Sequence, residues 1–187
     1  DRWEASPGES LFQDELWHCL HHDEPDFHYA LPTLNDPINK EGVRFLLDNC
    51  PSKNITYNTV FSNANYKRWK EYLQTKHRKR TVVIANQDSP MPFPCTSYEF
   101  TDNCVNAYNE DPSMYRMYDD LARGYIDTTF FISAGPAACI LVSRMWRVNP
   151  TNQYIDVGSA LDEFVHKRKT RPYMNPSSSY ATLESHR

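Results

Sequence analysis

The sequence lacks an apolar run long enough to cross a membrane. Its longest apolar stretches, Thr81 to Ala85 and Phe130 to Ile132, fall far short of the roughly 20 residues that a membrane-spanning helix needs. No secretory signal peptide is visible, and the abrupt start at Asp1 is compatible with a processed or trimmed product. We therefore expect no membrane span in this chain.

An excess of positive charge is also missing. The 20 Lys and Arg residues are outnumbered by 24 Asp and Glu residues, which gives a net charge of −4. Such a chain does not offer the basic surface that nucleic acids and anionic membranes select. The composition therefore argues against a nucleic-acid partner and leaves an enzyme open.

The five cysteines contain no Cys-x-x-Cys pair and are scattered along 187 residues. They do not resemble the framework of a disulfide-stapled domain. We therefore predict a reducing compartment, the cytoplasm. The sequon Asn54-Ile55-Thr56 keeps the lumen of the secretory pathway as the alternative.

Apolar runs alternate with helical patterns in the second half of the chain. Thr81 to Ala85 and Thr128 to Ser133 are continuous runs typical of strands buried on both faces, and Tyr154 to Val157 predicts a third strand. Helices are predicted from Pro112 to Gly124, with the glycine after the last turn, and from Ala137 to Arg147. This alternation predicts an α/β domain with a mainly parallel sheet.

The first half of the chain follows a similar pattern. It predicts helices from Ser10 to His21, from Asp36-Pro37 to Asn49 and from Tyr66 to His77, and strands at Phe27 to Leu31 and Ile55 to Phe61. The stretch from Asn86 to Asp111 is rich in proline and polar residues and predicts a long loop. The length suits one domain over residues 1–174 with a polar tail at 175–187.

Three segments follow predicted strands, where ligands of open α/β sheets bind. In the first, Ser133, Gly135 and Pro136 lead from a buried strand into a helix. A glycine lets a ligand approach the backbone, and a helix N-terminus favours phosphate. We predict a diphosphate site here, with an unliganded tight turn as the alternative.

The second segment contains Asp156, Gly158, Ser159 and Asp162. An unpaired carboxylate near the end of an apolar strand is costly, so Asp156 needs a donor, a metal or a ligand hydroxyl. Two carboxylates and a glycine suit sugar hydroxyls or a divalent cation with phosphates. The alternative is an Asp that caps the next turn through backbone N–H groups.

The third segment is Thr170-Arg171-Pro172-Tyr173. Its arginine could bind phosphate through paired hydrogen bonds while the tyrosine stacks on a ring, and a solvated basic tail is the alternative. Asn63 and Asn65 follow another predicted strand and are candidate polar contacts or simply turn residues.

Other motifs are absent or weak. The turn at Gly135 is neither a Walker A loop nor a Gly-x-Gly-x-x-Gly loop, and no Gly-x-Ser-x-Gly nucleophile motif occurs. The segment from His21 to Asp26 has the composition of a metal site. Adjacent histidines on a helix point in different directions, however, so a solvated helix end is the simpler interpretation.

Several separated blocks occur in one order between Phe130 and Tyr173. They are Phe131-Ile-Ser-Ala-Gly-Pro-Ala-Ala, Met145-Trp146, Asn149-Pro150, Asn152, Tyr154-Ile-Asp-Val-Gly-Ser-Ala-Leu-Asp162, Thr170-Arg171 and Tyr173. Together these blocks resemble the GT-D class of nucleotide-sugar glycosyltransferases. The similarity is looser back through Val82 to the segment Asn63-Ala-Asn65-Tyr66.

This resemblance implies a Rossmann-like three-layer sandwich and transfer of a sugar from a nucleoside-diphosphate donor to a glycan or glycoprotein acceptor. It implies that the turn at Gly135 and Pro136 receives the diphosphate with help from Arg171, and that Asp156 and Asp162 hold donor hydroxyls or a metal. One of these two carboxylates would act as the base. A divalent cation, Mn²⁺ or Mg²⁺, would be a cofactor.

The family's Asp-any-Glu motif on an early strand has no counterpart in this sequence. We expect that it lies upstream of Asp1 or has been lost. Its absence favours a second hypothesis, a catalytically silent module that binds nucleotide sugars or carbohydrates within a larger enzyme. A third is another Rossmann-like enzyme such as a methyltransferase, for which Ser-Ala-Gly-Pro is a poor cofactor loop.

Overall fold

The computed structural model describes residues 11–31, 40–50, 54–75, 80–86, 91–99 and 108–182. Over the described residues, the chain divides into two compact units. The first comprises Asp1–Leu16 and Leu73–Arg168, and the second comprises Trp17–Tyr72 and Lys169–Arg187. The predicted division into a domain at 1–174 and a tail at 175–187 stays a prediction.

The regular elements alternate along the chain. The strands are β1 Tyr29–Leu31, β2 Ile55–Tyr57, β3 Arg80–Ala85, β4 Thr96–Glu99, β5 Thr128–Ser133 and β6 Gln153–Asp156. The helices are α1 Leu11–Cys19, α2 Lys40–Asn49, α3 Tyr66–Gln74, α4 Arg116–Gly124, α5 Ala137–Val148 and α6 Asp162–Val165.

The first unit is built on a four-stranded parallel sheet with the order β4-β3-β5-β6. Its two central strands are buried on both faces: Val82, Val83 and Ile84 of β3 are fully buried, as are Phe130 and Ile132 of β5. Continuous apolar runs are what such a position requires. The predicted α/β class with a mainly parallel sheet is confirmed, and the strand order is consistent with a Rossmann-like fold.

Helices α4 and α5 pack against each other, and α5 also packs on β5 and β6. The Arg144 guanidinium of α5 binds the Asp119 carboxylate of α4 through two hydrogen bonds, of 2.7 and 3.3 Å. Both side chains are largely shielded from water. Removing one partner would leave a poorly solvated charge, so the pair fixes which faces of the two helices meet.

The end of α4 is held by two asparagine side chains. Asn149 and Asn152 each donate from Nδ2 to the carbonyl oxygens of Ala122 and Tyr125, over 2.9 to 3.2 Å. Asn152 Oδ1 also accepts a hydrogen bond from the N–H of Thr128, the first residue of β5. These side chains therefore join the end of α4 to the start of β5.

The second unit contains a two-stranded parallel sheet of β1 and β2. Helix α3, whose residues up to Tyr72 belong to this unit, buries Tyr66, Trp69 and Leu73 on one face, as the spacing of these residues predicts. Tyr72, predicted on the same face, is 48% exposed and stacks on Trp69.

The structure differs from the sequence predictions in several places, three of which have a clear physical reason. The predicted strand from Ile55 to Phe61 ends at Tyr57, because Asn58 begins a 3-10 helix. The predicted loop from Asn86 to Asp111 contains β4, whose short run of Thr, Ser and Tyr gives little apolar signal. Gly124 is the last residue of α4 and not the residue that follows the helix. A left-handed glycine after a helix allows backbone N–H groups to bind the last carbonyl groups, and here the side chains of Asn149 and Asn152 bind the Ala122 carbonyl instead.

Several predictions lie outside the described residues. These are the predicted helix starts at Ser10 and Asp36-Pro37 and the predicted last residues of the third helix, Lys76 and His77. Among the described residues, no helix is both long and apolar enough to cross a membrane.

The hydrogen bonds of Asn149 and Asn152 lead to a stability prediction. Asn152→Ala leaves the buried N–H of Thr128 without its acceptor and removes the donors to two carbonyl groups, so we expect the free energy of unfolding to fall by about 2–3 kcal/mol. Ser177→Ala is the matched control, because it also removes a hydrogen bond to an asparagine side chain, Asn175, but an exposed one that involves neither Asn149 nor Asn152. Urea unfolding measures the free energy of unfolding of both variants. Equal losses would contradict the stabilising role of Asn152.

Candidate functional site

The candidate site lies at the carboxyl-terminal edge of the four-stranded sheet. β5 ends at Ser133 and β6 ends at Asp156. The register pairs Ile132 with Asp156 and Ala85 of β3 with Ser133. The ends of these three strands therefore lie side by side, and the loops that follow them share one edge.

The strand order reverses between β3 and β5. The chain runs from β3 to its neighbour β4 and then returns to the other side of β3 to form β5. Connections that diverge in this way leave a crevice at the carboxyl ends of the strands, where open α/β sheets bind ligands. Ser133 and Asn86 follow the last core residues of β5 and β3 at this point. The sequence motifs miss Asn86, although a polar residue directly after a buried strand is a usable signal.

Asp156 is held in a tight turn by the backbone that follows it. The Gly158 N–H donates to Asp156 Oδ1 over 2.8 Å. Gly158 has a left-handed φ of 47°, which favours glycine at this position. The Val157 N–H donates to the Ile132 carbonyl over 3.0 Å and extends the pairing of β6 with β5 by one residue. The turn thus uses one carboxylate oxygen of Asp156, and no further hydrogen bond or ion pair of this side chain occurs among the described residues.

The Asp156 carboxyl group is the most strongly perturbed acid of the described site. Desolvation by surrounding protein raises its pKa from 3.8 to about 6, and the hydrogen bond from Gly158 acts in the opposite direction. The residue nevertheless keeps an exposed surface. Water therefore screens part of this desolvation. A solvent-accessible acid with a raised pKa can exchange protons with a ligand near neutral pH.

Ser133 contacts the same turn from β5. Its Oγ donates a hydrogen bond to the Gly158 carbonyl over 2.8 Å. The structure thus brings together Ser133, Asp156 and Gly158. The Ser133 hydroxyl proton is engaged within the protein, so only its lone pairs remain available to a ligand.

The turn at Gly135 and Pro136 lies between β5 and α5. Gly135 has a left-handed φ of 54°, and a side chain added there would meet open space. The first N–H groups of α5 donate within the turn, from Ala137 to the Ala134 carbonyl and from Ala138 to the Gly135 carbonyl. A ligand phosphate would have to compete with these hydrogen bonds. The support for the predicted diphosphate site is therefore the open space beside Gly135 and not the N–H groups of the turn.

Ser159 and Asp162 follow the Asp156 turn. Ser159 lies in the 3-10 helix Gly158–Leu161, and Asp162 begins α6. Both residues are half-buried, while Ala160 and Leu161 between them are buried and fix the segment. The predicted roles of Ser159 and Asp162 stay predictions.

The remaining candidates belong to the second unit. The 3-10 helix Asn63–Asn65 packs on the 3-10 helix Pro172–Met174, and the Tyr66 and Tyr173 rings meet edge to face at 5.2 Å. Asn65 Nδ2 donates to the Thr59 carbonyl over 3.1 Å, and Asn63 has a left-handed φ of 51°. Both asparagines thus have turn features, while Arg171 is exposed beside Pro172.

Metal ligands are not grouped in the part of the chain that the structure describes: no set of three or more His, Cys, Asp and Glu residues could hold an ion there. The described residues therefore offer no ligand set for the predicted Mn²⁺ or Mg²⁺, which stays a prediction. His22, predicted at a solvated helix end, is instead buried, stacks on Phe27 and lies 3.2 Å from the Glu24 carboxylate.

The raised pKa of Asp156 predicts a pH-dependent stability difference. Between about pH 4 and pH 6 the folded protein holds a proton that the unfolded chain has lost, so the parent protein loses stability as the pH rises through this window. Asp156→Asn keeps an acceptor for Gly158 but cannot ionise. The variant should gain stability relative to the parent from pH 4 to 6 and hold that gain above pH 6. Urea unfolding between pH 4 and 8 measures the difference, and a pH-independent result would contradict the shift.

Comparisons with known proteins add no relative. No protein-family model, no curated protein and no solved structure matches the chain. The candidate site therefore stands on its own geometry and on the sequence blocks described above.

Proposed function

We propose that this chain is a glycosyltransferase domain that moves a sugar from a nucleoside-diphosphate donor to a glycan or glycoprotein acceptor. The observation that carries the proposal is the accessible Asp156 carboxylate, held by Gly158 at the carboxyl-terminal edge of the sheet, one strand away from the point where the strand order reverses. Asp156, Gly158 and Ser133 all lie in the sequence blocks that resemble the GT-D class. A carboxylate with one free oxygen at a ligand-binding edge suits a hydroxyl-bearing ligand.

The donor is proposed to enter above the Gly135 turn. The left-handed glycine leaves open space there, so a diphosphate can approach the backbone and the positive end of α5. Gly158 and Ser159, which follow Asp156 at the same edge of the sheet, are proposed to contact the donor as well. Arg171 and Tyr173 belong to the second unit, and their part in binding the leaving diphosphate stays a prediction of the resemblance.

Asp156 is proposed as the base of the transfer. The acceptor hydroxyl oxygen forms a bond to the anomeric carbon of the donor sugar while the bond from that carbon to the diphosphate oxygen breaks. The acceptor proton passes to Asp156 Oδ2, and the nucleoside diphosphate leaves with the bonding electron pair. A carboxylate whose pKa is about 6 is ionised at neutral pH and more basic than an ordinary aspartate, which suits this role.

A silent module that binds nucleotide sugars or carbohydrates is the second candidate. It is favoured by the lack of an Asp-any-Glu motif in the sequence. The two candidates share a donor site and differ in turnover, because an active transferase also transfers some sugar to water and a binding module does not.

The cytoplasm is the proposed compartment. The described cysteines Cys50 and Cys95 form no disulfide bond. The sequon residue Asn54 donates from Nδ2 to the carbonyl oxygens of Glu24 and Pro25, over 2.9 and 3.1 Å. A glycan on that nitrogen would disturb both hydrogen bonds, which makes the secretory alternative the weaker one.

Nucleotide-sugar binding is the first expected outcome. A thermal-shift and calorimetry screen against UDP-glucose, GDP-mannose and dTDP-glucose, with and without Mn²⁺, should give one preferred donor. A ligand at 100 times its dissociation constant adds about 2.7 kcal/mol of stability. Arg171→Ala should weaken this binding, whereas Arg168→Ala removes a neighbouring exposed cation and should not. Failure of all three donors to bind would contradict the proposed function.

Donor hydrolysis separates the two candidates and the two carboxylates. Asp156→Asn should lower the hydrolysis rate of the preferred donor by about 100-fold or more while donor binding persists. Asp162→Asn should have the smaller effect on the rate. Release of the nucleoside diphosphate measures turnover. Binding without any hydrolysis by the parent protein would support the silent module, and a larger loss in Asp162→Asn would assign the base to that residue.

A further inference from the structure

The loop that carries Asp156 is attached to β5 at two points. The Val157 N–H donates to the Ile132 carbonyl over 3.0 Å, and the Ser133 hydroxyl donates to the Gly158 carbonyl over 2.8 Å. Both attachment points come from the last two residues of β5. The first continues the regular pairing of the sheet, and the second is a side-chain contact beyond the end of the pairing.

The second attachment acts on the residue that orients the carboxylate. Gly158 binds Asp156 Oδ1 through its N–H and binds Ser133 through its carbonyl group. Its left-handed backbone has no side chain to pack, and a side chain added there would reach no atom closer than 4.0 Å. The buried Val157 and Ala160 anchor the segment on either side of Gly158, and the Ser133 hydroxyl holds the Gly158 carbonyl itself.

We propose that Ser133 is a positioning residue for Asp156. Its hydroxyl holds the Gly158 backbone, which in turn holds Oδ1 of the carboxylate and leaves Oδ2 directed to a ligand hydroxyl. This role differs from the direct diphosphate contact that the sequence predicts for Ser133. The inference rests on the proposed function for its kinetic consequence, but its structural part concerns this chain alone.

Hydrogen exchange of the Gly158 amide tests the structural part of the proposal. With only five glycines in the chain, ¹⁵N-glycine labelling gives few amide signals, and the spectrum of Gly158→Ala identifies that of Gly158. In Ser133→Ala the Gly158 amide should exchange with solvent about tenfold faster than in the parent, because one hydrogen bond of the turn is lost. Ser133→Thr keeps the hydroxyl and should restore slow exchange.

The matched control removes a hydroxyl from the other end of the same strand pair. Thr129 Oγ1 donates to Gln153 Oε1 over 3.0 Å, so Thr129→Val also deletes one hydrogen bond between β5 and β6. It should leave the exchange of the Gly158 amide unchanged. Unchanged exchange in Ser133→Ala, or equal acceleration in Thr129→Val, would overturn the positioning role.

The kinetic part uses hydrolysis of the preferred nucleotide sugar. Ser133→Ala should lower kcat about tenfold with little change in KM, because donor contacts remain while the carboxylate loses its orientation. Ser133→Thr should recover most of the rate. A raised KM with unchanged kcat would instead assign Ser133 to direct donor binding. Absence of turnover in the parent protein would refute the proposed transferase but leave the exchange measurement decisive for the positioning role.

Discussion

The pairing of β5 with β3 on one side and β6 on the other is the constraint on which the first unit depends. It makes β5 a central strand, and because the side chains from Phe130 to Ile132 are also buried on both faces of the sheet, this run has to be apolar. The same register places Asp156 opposite Ile132 and Ser133 opposite Ala85. A shift of β6 by one residue would turn its side chains to the other face of the sheet, so the position of the carboxylate follows from the hydrophobic pattern of its neighbour.

The two ends of the parallel strands differ in function: one stabilises the fold and the other forms the candidate site. At the edge where β5 begins, Asn149 and Asn152 join the end of α4 to Thr128, and Tyr154 donates to the Asn149 carbonyl. At the edge where β5 ends, Ser133, Gly158 and Asp156 form the candidate site. The sequence blocks that resemble the GT-D class therefore contain residues of both kinds: the asparagines and the tyrosine stabilise the fold, and the Ser-Ala-Gly-Pro and Asp-Val-Gly-Ser segments form the site.

Much of this arrangement is predictable from the sequence because burial leaves a direct trace in composition. The continuous apolar runs predict β3 and β5, and the glycine after Asp156 indicates a turn. β4 is not predictable in this way, since its residues are mostly polar and only its pairing with β3 defines it. The pKa of Asp156 and the hydrogen bond from Ser133 are equally inaccessible, because both depend on atoms brought together from separate strands. The hydrogen bonds of Asn149 and Asn152 likewise form only when the segment before β6 lies beside the end of α4 and the start of β5, and no local sequence pattern specifies this.

The position of β6 at the end of the strand order has a consequence for how the site responds to a ligand. β6 has one hydrogen-bonded neighbour in the described sheet, and its residues are at most half-buried. An outer strand of this kind separates from its sheet more readily than a central one. A molecule that binds both the Gly135 turn and Asp156 would join the ends of β5 and β6 and so oppose that separation. Occupancy of the site would then be felt along the whole outer strand, as slower opening of its pairing with β5.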